Sequence, residues 1–195
     1  MNYLAHIFLS GNSQRLQIGN FIGDFVKGSK LKSYPNEIRQ GIVLHRLIDE
    51  FTDNHEVVKE TVNFVRPAFG RYSGIIVDMY FDYFLAKNFR KYSPNTSLNF
   101  FAFKFYFAAI LNYNYLPVRV KRFIFHLIFS NRLYKYSTLY GLEESLNIMS
   151  NHKVSSIKPD KTIQFLIENH EELEAKFFRF FPKLIEFANK QRANF

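Results

Sequence analysis

What most constrains this chain is the spacing of its apolar residues. They recur three and four apart along most of its length, and no alternating run closes on an Asn-Gly or Asp-Gly turn. That period belongs to helices that bury one face, and strand signals are poor. The spacing predicts helices over residues 2–9, 13–26, 35–54, 55–65, 73–89, 97–112, 117–132 and 138–149. Pro35 suits a first-turn position, where its missing N–H costs nothing. Pro67 and Pro94 are expected to follow helix ends. Asp160 reads as the N-cap of a long helix to residue 181, which Pro182 breaks or kinks before a last helix to residue 192. Loops are short, and no repeat or long linker interrupts the 195 residues. The expectation is one all-α domain over 1–195, a compact multi-helix bundle.

Polar groups on the apolar faces carry the functional signal. On a wheel of 100° per residue, His45, Asp49 and Asp53 stack beside Ile38 and Ile42, while Arg39, Arg46 and Glu50 form a narrow wet strip. Asp78 and Asp82 stand one turn apart on a face with Gly74, Phe81, Leu85 and Phe89. Asp24 lies among Phe21, Ile22 and Phe25, and His6 among Leu4, Ile7 and Phe8. Each alone could satisfy a local hydrogen bond or cap a helix, and Asp53 could cap the helix near His55. Together, two His and several Asp from four apolar helices point to a divalent cation, which removes the cost of crowding carboxylates away from water. His126 reads as packed; His55, His152 and His170 read as surface. Gly19 and Gly23 read as allowing close helix packing.

Composition narrows the chemistry. There are no cysteines, so thiolate sites and cysteine nucleophiles are excluded. A site of imidazole and carboxylate suits Mn, Mg or Fe. The formal net charge of +9 suggests an acidic partner. Residues 1–10 lack a basic leader and carry His6, which is unlike a signal peptide. The most apolar run, residues 98–111, is too short for a bilayer and contains Asn99 and Lys104. A cytoplasmic protein without membrane insertion is expected. No P-loop, dinucleotide fingerprint, G-x-S-x-G or nucleic-acid motif occurs.

Several blocks resemble one family. Asn2-Tyr3-Leu4-Ala5-His6 and Gly19-Asn20-Phe21-Ile22-Gly23-Asp24-Phe25-Val26-Lys27-Gly28 are similar to the start of the acyl carrier protein (ACP) phosphodiesterase family. So are Gly41-Ile42-Val43-Leu44-His45-Arg46-Leu47-Ile48-Asp49, then Phe51-Thr52-Asp53, and Arg71-Tyr72-Ser73-Gly74-Ile75-Ile76-Val77-Asp78 with Asp82. Tyr140-Gly141-Leu142-Glu143, Met149-Ser150 and Phe180-Phe181-Pro182 continue the match; residues 88–139 show little of it. The resemblance implies a helical enzyme distantly like HD-domain phosphohydrolases. It would cleave the 4′-phosphopantetheine–serine phosphodiester of holo-carrier, usually with Mn²⁺. Mg²⁺ or Fe²⁺ would also suit the donors.

His6, Asp24, His45, Asp49, Asp78 and Asp82 form the pool of metal ligands and bases, with Asp24, His45 and Asp49 as the catalytic candidates. Lys27, Lys30, Lys32 and Arg46 are the candidates for binding phosphate and carrier, and Arg119, Lys121 and Arg122 for a second rim. The carrier, a small acidic protein, would be the partner; nucleic acid would not. The alternative is an HD-like phosphohydrolase acting on a nucleotide or other small phosphorylated metabolite in a closed pocket.

Overall fold

The computed structural model describes residues 1–150 and 157–195, and the backbone of the helix that ends at His152. Among them are α-helices and short 3₁₀ turns and no strand, as the spacing predicts. In order they are α1 (Tyr3–Leu9), α2 (Gln14–Phe21), α3 (Asn36–Asn54), α4 (Glu56–Phe69), α5 (Ser73–Lys87) and α6 (Phe89–Tyr92). Then come α7 (Leu98–Leu111), α8 (Val118–Phe129), α9 (Arg132–Lys135), α10 (Leu139–His152), α11 (Pro159–Glu168) and α12 (His170–Ala193). One continuous aromatic and aliphatic core runs through them. Its largest fully buried members include Tyr80, Phe81, Phe84, Phe105, Phe177 and Phe180.

Three boundaries differ from expectation, each for a physical reason. The second helix stops at Phe21 and passes into 3₁₀ turns over Gly23–Phe25 and Gly28–Ser33, because glycines at 19, 23 and 28 weaken helix continuation. Pro67 and Pro182 lie inside α4 and α12. A helix-interior proline costs ~3 kcal/mol. On α12 the buried Phe177, Phe180, Phe181 and Leu184 flank Pro182, and each such side chain contributes about 1.5–3 kcal/mol, so packing outweighs the break. The interruption falls instead at Asn169, whose side-chain amide and backbone N–H both donate to the Phe165 carbonyl. Asp160 sits in the first turn of α11 behind Pro159, with Lys158 at the cap position.

The crossing of α2 and α3 positions the site. A Cβ on Gly19 would lie 2.0 Å from the Ile38 carbonyl oxygen, and one on Gly41 would lie 2.3 Å from that of Leu16. Only hydrogen at both positions lets the two backbones touch. The expected close packing at Gly19 therefore holds, and the contact brings Asn20 and His45 together.

Candidate active site

α1 reaches this crossing because Asp82 holds it there. Asn2 gives no side-chain cap, so the first N–H groups of α1 need another acceptor. Asp82, fully buried on α5, accepts from the backbone N–H of Leu4 at 2.8 Å and of Ala5 at 3.1 Å. Burial pushes its carboxyl up to about 7, against the lowering effect of those two bonds.

With α1 fixed, His6 faces His45, their rings stacked at 4.0 Å between centroids. Each imidazole is oriented through Nδ1. His6 Nδ1 lies 2.8 Å from the Asn20 side-chain oxygen, and His45 Nδ1 lies 2.8 Å from the Asn20 backbone oxygen. The Asn20 amide is turned this way by donating to Ser10 Oγ at 2.9 Å, and that hydroxyl donates to the His6 carbonyl. Both Nδ1 atoms therefore donate. Both Nε2 atoms point at Asp49, 3.2 Å from its two oxygens. A ligand atom from each of His6, His45 and Asp49 falls within 4.8 Å of the others.

Asp24, on the exposed 3₁₀ turn, completes the rim with Oδ1 3.3 Å from His45 Nε2. Gly23 allows this approach, since a Cβ there would lie 2.3 Å from the His45 ring. The side chains of Asp24 and Asp49 are 71% and 37% exposed, so the cluster opens to solvent rather than lining a deep cavity.

Charge is unevenly shared. Burial lowers the His6 pKa, reinforced by His45 beside it. Burial also pulls His45 down, but its hydrogen bonds to Asp24 and Asp49 win and hold it at about 9. The His45 hydrogen bond keeps Asp24 below the usual carboxylate range. Asp49 is also held low: burial raises it, and bonds to both imidazoles outweigh that.

Of the six residues in the predicted pool, the structure gathers His6, His45 and Asp49 closely, with Asp24 at their edge. Asp78 stands one step away, 3.2 Å from the Met1 amino nitrogen, which is also 3.6 Å from Asp49. Asp82 is not in the cluster, because both of its oxygens are used on α1. Asp53 does not cap α4; His55 does, through Nδ1 accepting from the Val57 N–H. Lys27, Lys30 and Lys32 are exposed on the turns after Asp24, and exposed Arg46 donates to the Val26 carbonyl at 2.9 Å. Expected to be packed, His126 is exposed, as a last-turn residue facing out from α8. His55 and His170, expected at the surface, are half-buried against Phe180 and Phe84; His152 lies outside the described side chains. Asn20 and Met1 were not anticipated as parts of the site. For Asn20 the available signal was an amide inside the apolar stretch 18–22.

Comparison with known proteins gives the same direction. The family model described as acyl carrier protein phosphodiesterase matches residues 1–184. A protein of Klebsiella pneumoniae (strain 342) named acyl carrier protein phosphodiesterase is 33% identical over 195 residues, covering 98% of this chain and all of that one. Proteins of the same name from Escherichia coli O6:K15:H31 and Pectobacterium atrosepticum are 29% and 28% identical, each over 98% of this chain and 99% and 100% of their own. No solved structure matches.

Proposed function

Because the chain belongs to the acyl carrier protein phosphodiesterase family and is a phosphodiester hydrolase, we propose that it cleaves phosphopantetheine from holo-carrier with a divalent cation held by His6, His45 and Asp49. The observation that carries this reading is the paired imidazoles. Each is locked by an Nδ1 hydrogen bond to an oxygen of one asparagine, and each presents Nε2 to a shared carboxylate. Histidine ligands are oriented by such outer hydrogen bonds, and the donor set of two nitrogens and a carboxylate fits Mn²⁺, with Mg²⁺ or Fe²⁺ as alternatives. A cation bound there supplies polarisation of a phosphate oxygen and a lower pKa for water.

The remaining steps belong to the chain. The exposed, ionised Asp24 is placed to accept a hydrogen bond from a water approaching the phosphorus. The water oxygen bonds to phosphorus as the phosphorus–serine oxygen bond breaks. The water gives up one proton through Asp24 and the serine oxygen takes up one, giving apo-carrier and phosphopantetheine. The exposed Lys27, Lys30 and Lys32, which follow Asp24 in the chain, offset the charge of the diester and of an acidic carrier. The open rim favours a phosphate delivered by a protein over the alternative of a small metabolite enclosed in a pocket. Chelation followed by titration tests the metal. Hydrolysis of holo-carrier, read by intact mass, is expected to stop with EDTA and return with Mn²⁺. Full activity in the metal-stripped protein would refute the metal reading.

A further inference from the structure

All of the excess positive charge sits in one stretch. Residues 83–142 contain nine Lys and Arg and no Asp or Glu, while the other 17 cations are matched by all 17 anions elsewhere. The same stretch holds eleven of the fourteen exposed large hydrophobic side chains among the described residues. Most lie on α7 and α8. Phe100, Phe103 and Phe107 are 51–64% exposed at helical spacing on the outer face of α7. Val118, Phe125 and Phe129 are 45–84% exposed on α8. A helix as apolar as α7, whose polar side chains are Asn99, Lys104 and the hydroxyl of Tyr106, belongs in an interior or against a partner.

The two helices are tied together near both ends by residues just outside them. Asn131, just past α8, donates to Asn99 at the start of α7 at 3.2 Å. Phe125 packs on Tyr113 and Phe129, and Lys121 lies over the Tyr113 ring. α8 also reaches the active site from its half-buried side: Phe123 packs against Tyr3, Phe21 and Phe25, the last adjacent to Asp24.

We propose that the outer face of α7 and α8, with Arg119 and Arg122, is the docking surface for the acidic carrier, a proposal that rests on the phosphodiesterase reading above. A stretch free of carboxylates removes repulsion from an acidic protein, and its cations steer the encounter. The exposed Phe side chains supply the apolar centre on which such interfaces depend. Continuity with Phe25 and Asp24 brings a docked protein's serine-linked phosphate toward the His–Asp cluster. A second copy of this chain suits the surface less, since it would set like charges face to face.

The test uses unmodified apo-carrier, so docking is measured apart from hydrolysis. One variant carries Phe103→Ser with Phe129→Ser, and another Arg119→Glu with Arg122→Glu. Lys183→Glu with Lys190→Glu on α12 serves as the control. Each of the first two pairs is expected to weaken carrier binding about tenfold or more. Hydrolysis of bis(p-nitrophenyl) phosphate should stay unchanged, which also shows that the variants fold, and the control should bind as the unaltered protein does. Unchanged binding in both docking variants overturns the proposal. So does unchanged carrier binding with lost sedimentation on phosphatidylglycerol vesicles, or with a dimer converted to monomer. If the unaltered protein binds apo-carrier through this surface but leaves holo-carrier intact, the docking proposal stands and the phosphodiesterase reading falls.

Discussion

At the scale of residues, one asparagine organises two histidines. Its side-chain oxygen sets His6 and its backbone oxygen sets His45, so both Nε2 atoms arrive at Asp49 without a search. The i, i+4 pair His45 and Asp49 was legible, because helical spacing alone places them on one face. Asn20 was not, because a single amide in an apolar stretch is also what an ordinary buried hydrogen bond looks like. Nor was the role of Asp82: its spacing from Asp78 matches a ligand pair, and only the fold shows that α1 brings two free N–H groups to it. On the proposed metal reading, His45 makes cation binding depend on pH. Its proton, held at about 9 by Asp24 and Asp49, must leave Nε2 before a cation binds there. Mn²⁺ affinity should therefore rise about tenfold per pH unit from pH 7 to 9 and then level off. Titration by electron paramagnetic resonance measures this, and an affinity independent of pH would remove His45 from the ligand set.

At the scale of elements, the helical spacing named most of the helices, and proline misled at two. Pro67 and Pro182 obey a local rule that core packing overrides, and no local rule marks Asn169 as the point of interruption. The short α1 shows the opposite case, an element held by a distant side chain. Asp82 has its folded pKa raised to about 7 by burial, against an ordinary carboxylate value when unfolded. Between the two, the folded state binds more protons than the unfolded one. Stability should then fall as pH rises from about 4 to about 7, and no further above that on this account. In Asp82→Asn that part of the slope should vanish, as followed by thermal melts across this range. The variant should also lose about 1–3 kcal/mol at pH 5, where one of the two α1 N–H groups is left without an acceptor. An unchanged slope would show that Asp82 is not the group responsible.

At the scale of the whole molecule, sequence and structure agree on an all-helical protein. The net charge was legible, and so was an acidic partner as its use. The gathering of bare Phe side chains on α7 and α8 was not, because those aromatics fall at spacings that a core helix also shows. Only exposure in the folded chain separates a core stripe from a docking face. The central claim is that this fold brings a carrier's phosphodiester to His6, His45 and Asp49. It is tested most directly by incubating holo-carrier and Mn²⁺ with the unaltered protein and with His45→Ala, and reading the carrier by intact mass. The account predicts conversion to apo-carrier by the unaltered protein and a rate at least about a hundredfold lower for His45→Ala, while carrier binding is kept. Equal conversion by both, or none by the unaltered protein, would contradict it.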